Sequence, residues 1–224
     1  MAYVRSGLYA EGPSDYQLLM PLLRRLLEQV CLDAARGVVD VEEVQALDAP
    51  RRFQGADRAT RILEASRDFW GGACVLFIHA DGAGDPDAAR TTQFAPAATR
   101  IQETLRGGVC VPVIPVREIE AWTLVDGDTL REAFGTTLPD DALRVAKRPR
   151  EVEKILDPKR ELREALTAVI GPSRRRHGTS DFFTRIGERI DLAKLRQVPA
   201  FLQLEEDLRS ALRGLGILRA GERG

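Results

Sequence analysis

Carboxylates fall in three short clusters of this chain, each at the end of an apolar stretch. Glu11 and Asp15 stand in GLYAEGPSD, Asp81 and Asp85 in HADGAGD, and Glu118 and Glu120 in REIEAWTLVD. Acids gathered at one place repel, and a divalent cation is the usual partner that makes the group tolerable. The chain has two histidines, His79 and His177, and three cysteines without CxxC spacing. A histidine-rich or thiolate centre is thereby excluded, and a hard ion, Mg2+ or Mn2+, is the expected cofactor. Such an ion activates water and offsets charge on a phosphodiester. The glycines agree with this reading. Gly12 lets the chain turn after Glu11, and Gly82 and Gly84 allow close main-chain approach around Asp81 and Asp85.

Each cluster also has a plainer reading. EGPSD serves as a helix entry, with Ser14 as cap and Asp15 favouring the helix dipole. DGAGD serves as a polar turn, and Glu118 and Glu120 as exposed residues at a strand end. Singly, these readings are at least as good; it is the occurrence of all three clusters at strand ends that favours a metal site.

The elements that must position these acids can be read from periodicity. Residues 2–10 form a short strand, and a helix follows from Ser14, its leucines at 18, 19, 22, 23, 26 and 27 in helical spacing. Pro21 inside that pattern predicts a kink or a late start. A second strand is expected over 38–46 and a second helix over about 56–69. Residues 73–80 (ACVLFIHA) are almost wholly apolar, as in a central parallel strand covered on both faces. A helix near 90–106 leads to a further strand, 108–116. The order βαβαβαβ implies an α/β fold, a parallel sheet flanked by helices. In such sheets ligands bind beyond the carboxyl ends of the strands, so the three clusters should meet at one edge.

Beyond Asp126 only helices are expected, near 128–134, 149–156, 160–170, 180–197 and 200–213. The division is an α/β core, 1–126, and a helical, basic C-terminal extension, 127–224, packed on it, with the changeover at about 126–140. Residues 1–126 carry 13 Lys/Arg against 18 Asp/Glu, and residues 127–224 carry 20 against 16. An acidic half beside a basic half suits a metal site next to a phosphate-binding surface. Arg174, Arg175, Arg176 and His177 form the candidate phosphate or nucleic-acid contact, against which stands a solvated basic loop. Trp122, Phe182 and Phe183 read as packing residues, and Cys31, Cys74 and Cys110 as small buried hydrophobes. No apolar run is long enough to span a bilayer and the N-terminus lacks a signal-peptide pattern. A cytoplasmic protein without membrane contact is expected.

The combination EGPSD, HADGAGD and REIEAWTLVD resembles the Toprim domain of topoisomerases, DnaG-type primases and the OLD (overcoming lysogenization defect) nucleases. It is similar more specifically to a family of small bacterial Toprim-like proteins of unknown function, often encoded beside an ABC/SMC-type ATPase in presumed defence operons. The similarity extends to the tail SDFFTRIGERIDLAKLRQVPAFLQLEEDL. It implies that Glu11 is a metal ligand or general base, that Asp15 is an additional acid of the OLD type, and that Asp81 is the second member of a DxD pair. The first member is replaced by His79, which either coordinates a metal or is a satisfied core histidine. Asp85 is placed to compensate, and Glu120, with Glu118 behind it, is the downstream ligand. The function implied is metal-dependent phosphodiester hydrolysis, foremost of DNA, with Glu11, Asp81 and Asp85 catalytic and an ATPase as partner; a homodimer is a possible assembly. The alternative is a non-catalytic Toprim-like module that binds nucleic acid, a nucleotide or the ATPase.

Overall fold

The computed structural model describes residues 2–171 and 182–219. Its centre is a parallel sheet. β1 (Ala2–Tyr9), β2 (Val39–Val41), β3 (Gln45–Ala46), β4 (Cys74–His79) and β5 (Gly108–Val113) are arranged in the order β2-β1-β4-β5, with β3 also paired to β1. The expected strand over 38–46 is thus two short pieces, both parallel to β1. β4 lies between β1 and β5, in register Tyr9↔Ile78 and His79↔Val113.

Period-two alternation along β4 divides the core. Val75 and Phe77 face one layer, and Cys74, Leu76 and Ile78 the other, so every residue of the strand is buried. On the first face lies α1 (Pro13–Ala34), which buries six of its seven leucines and leaves Leu32 exposed. On the second lie α2 (Arg58–Ser66) and α4 (Ala95–Thr104), which bury Ile62, Leu63 and Ile101. α3 (Pro86–Ala89) and a π-helical turn, Arg90–Phe94, lead into α4.

Two local expectations change. α1 begins at Pro13, where a first-turn residue needs no N–H partner. The amide of Gly12 is satisfied by Asp15 Oδ2 at 2.8 Å, so Asp15 rather than Ser14 closes the entry. Nor does the helix start late, at Pro21; it runs from Pro13 through Ala34 as one element with that proline inside it. The Pro21 ring and the Leu18 carbonyl pack closely on Gly187, where an added Cβ would collide with both.

The remaining elements are helical: α5 (Glu120–Thr123), α6 (Gly127–Phe134), a 3-10 segment Pro149–Lys154, α7 (Pro158–Ile170), α8 (Phe183–Arg189), α9 (Leu192–Leu195) and α10 (Pro199–Gly214). They share one apolar cluster with α1 and the sheet. Trp122 meets Phe201 edge-on at 5.3 Å and so joins core to extension, while Phe134 meets Phe182 at 5.0 Å within the extension. A buried polar tie supports the same junction. Asp126 caps α6 through Thr129 and accepts from the Asp191 amide at 3.1 Å and Lys194 Nζ at 2.6 Å. Cys31, Cys74 and Cys110 are free thiols, and burial pushes Cys31 up to about 11 and Cys110 to about 12. Among the described residues, no helix is long and apolar enough to cross a membrane.

Candidate functional site

Parallel strands end on the same side, so β1, β4 and β5 deliver their following residues to one edge of the sheet. Glu11 follows β1, Asp81 follows β4, and Glu118 and Glu120 follow β5. At the centre is His79, the last residue of β4, which is fully buried. Alternation places it on the α1 face, and its Nδ1 lies 3.7 Å from Asp15 Oδ2 in the first turn of α1. Its Nε2 lies 3.5 Å from Asp81 Oδ1. Neither ring nitrogen has a hydrogen-bond partner. His79 is therefore not a satisfied core histidine: it is a desolvated polar ring wedged between two carboxylates, and buried polar atoms left in that state are rare and costly.

The loop after β4 is held by the segment after β5. Gly82 and Gly84 donate to the carbonyls of Pro115 and Val116 at 3.1 and 2.7 Å. Gly84 has φ +94°, and a Cβ at Gly82 would run into both of those carbonyls. The amides of Gly82, Ala83, Gly84 and Asp85 are each taken by a main-chain carbonyl and are not free for an anion. Asp85 has a structural task, capping α3 by accepting from the Ala88 amide at 2.9 Å.

Glu120 opens α5 and is 4% exposed, with Oε2 unpartnered. Burial pushes its carboxyl up to about 7; nearby Lys159 works against the shift, while Glu118 and Asp81 add to it. Asp81, Glu118 and Glu120 are thus electrostatic neighbours. Two cations outside the expected set complete the edge. Arg58, in the first turn of α2, reaches Glu11 at 3.3 Å, donates to the His79 carbonyl and lies over the Tyr9 ring. Lys159, in the first turn of α7, pairs with Glu118 at 2.9 Å. The signal for Arg58 was topological, since a helix between parallel strands begins at the ligand edge. For Lys159, placement needed the fold of the extension. Arg174, Arg175, Arg176 and His177 lie outside the described residues.

The donor chemistry, carboxylates with one imidazole, fits a hard or borderline divalent ion. As the side chains stand, no group of three His, Cys, Asp or Glu among the described residues converges to hold one. Glu11 is turned to Arg58 and Glu118 to Lys159, so these two acids are compensated by the protein's own cations.

Fold and site together define a parallel α/β protein with a carboxylate-rich edge and a helical extension that closes one side of it. Residues 10–209 match the model of a family described as a domain of unknown function (DUF4276), and the chain belongs to that family. No curated protein and no solved structure matches it.

Proposed function

We propose that the protein is a divalent-metal-dependent phosphodiesterase, a DNA nuclease or nickase of the cytoplasm that works with an ABC/SMC-type ATPase in bacterial defence. One observation carries the reading: buried His79, without hydrogen bonds, between Asp15 and Asp81 at the edge where Glu11 and Glu120 also end. Asp15, Asp81 and Glu120 are the residues that would hold Mg2+ or Mn2+, joined by Glu11 once it leaves Arg58. The ion would supply charge neutralisation and activation of water at the phosphate. Glu11, two-fifths exposed, is the carboxylate open to a bound substrate and serves as base. The ATPase and the defence setting rest on the Toprim-like resemblance of the three motifs.

A second reading has its own support. His79 in place of a carboxylate, and the Glu11–Arg58 pair, also suit a module that binds nucleic acid, a nucleotide or its ATPase without cutting. Plasmid nicking with Mg2+ and then Mn2+ separates the two. Nicking is expected from the wild type and from Asp68→Ala, whose site lies on the α2–β4 connection at the far end of the sheet, and not from Glu11→Ala or Asp81→Ala. Folded wild type that nicks under neither ion refutes the enzyme.

A further inference from the structure

We infer that Lys159 and Arg117 form a phosphate-contacting rim of this site, with Lys159 exchanging Glu118 for the backbone phosphate of a nucleic-acid strand. The inference rests on the nucleic-acid reading above but not on cleavage.

Lys159 sits in the first turn of α7, a thirteen-residue helix, where the macrodipole disfavours a cation. What offsets that cost is the acid edge: Glu118 at 2.9 Å, with Glu120 and Asp81 close enough to hold the ammonium in its charged form against partial burial. The Lys159–Glu118 pair is half exposed on the lysine side, and such solvent-screened pairs contribute little to stability. An arriving phosphate therefore displaces Glu118 at little cost. Arg117 is the adjacent cation. Its guanidinium lies over Gly84, where a Cβ would stand 3.6 Å from it, and among the described residues it has no acid partner. A half-buried arginine without a carboxylate, beside a loop whose own amides are already used, leaves its forked donors for an anion. Lys159 lies close enough to Asp81 and Glu120 to feel both charges, and Glu120 Oε2 is buried there without a partner.

The test is fluorescence anisotropy of a fluorescein-labelled single-stranded oligodeoxynucleotide, in EDTA and in Ca2+, over a salt series. The wild type should bind, and Lys159→Gln/Arg117→Gln should bind about tenfold more weakly. The slope of log affinity on log salt should fall by about 1.4, near 0.7 for each phosphate no longer neutralised. Lys159→Arg should retain the wild-type slope. A double variant with wild-type melting and an unchanged slope overturns the inference, as does wild type that binds in neither condition. Nicking by the wild type with no effect of the double variant on binding leaves the phosphodiesterase standing and removes this rim. Binding that depends on the two residues without any nicking does the reverse.

Discussion

Nε2 of His79 lies 3.5 Å from Oδ1 of Asp81, two residues further along the same chain, and no hydrogen bond joins them. The ring is fully buried, so the imidazole stands beside a part-exposed carboxylate without the contact that would offset its own desolvation. An apolar replacement at position 79 removes that cost. His79→Leu is expected to raise stability in EDTA by roughly 1 kcal/mol or more, read as a higher melting temperature. Stabilisation of the wild type by Mn2+ should reach about 2.7 kcal/mol at a hundredfold excess over the dissociation constant and vanish on chelation, and Asp81→Ala should lose it. A wild-type melt indifferent to Mn2+ would sink the metal centre.

Glu120 sets the pH dependence. Its folded carboxyl stands at about 7 against 4.5 in the open chain, because burial disfavours the charged form. The folded state holds the proton longer, so stability is greatest below about 4.5, declines as pH rises to about 7, and stays low above it. Glu120→Gln should remove this decline and gain up to about 3 kcal/mol at pH 8, from linkage at ~1.4 kcal/mol per pH unit. Urea melts of both proteins from pH 5 to 8 would show parallel curves if the carboxyl did not contribute.

Gly82 is required by contact, not by a strained φ. Gly82→Ala forces its Cβ against the Pro115 and Val116 carbonyls and should cost about 1–3 kcal/mol, the usual penalty of overpacking. Because this pairing fixes the loop that carries Asp81, any activity should fall with it. Gly37→Ala, which meets nothing within contact distance, is the matched control in thermal unfolding.

Lys194 and Asp126 join extension to core. Burial alone would push the Asp126 carboxyl up, but hydrogen bonds from Lys194 and Thr129 bring it below the usual range. Its contribution to stability is present above about 3.8 and lost as pH falls below it. Lys194→Met leaves a carboxylate that is 3% exposed without its cation, at an expected cost of roughly 1.5–3 kcal/mol. Equal melting temperatures for variant and wild type at pH 7 would show the tie to be idle.

The sheet can be read from the sequence because its signals are local: the apolar run at 73–80 allows little but a buried strand, and the acids after it fall where parallel strands end. Within 38–46, Glu42, Glu43 and Val44 interrupt the pairing, and alternation alone does not reveal the break between β2 and β3. The unbroken course of α1 through Pro21 is not legible locally, because the tolerance of a proline depends on what packs there, and Gly187 of α8 lies 166 residues away. For the site, residue type identifies the acids, but their charge state depends on neighbours. The pairing of Glu11 with Arg58 and of Glu118 with Lys159 joins residues 47 and 41 apart, beyond any local pattern. The capping role of Asp85 is visible in its spacing to Ala88, yet the same carboxylate suits a ligand equally well.

The packing of α8 and α10 on α1 also bears on how the chain is made. The leucine face of α1 is synthesised first, and the helices that cover it come some 150 residues later. At ~5–20 residues per second, that face waits on the order of ten seconds without its cover, while β1 waits for β4. During that interval the nascent chain presents a long greasy helix and an unpaired strand side by side. Its yield in the cell should therefore depend on chaperones that shield nascent chains more than on the stability of the finished fold.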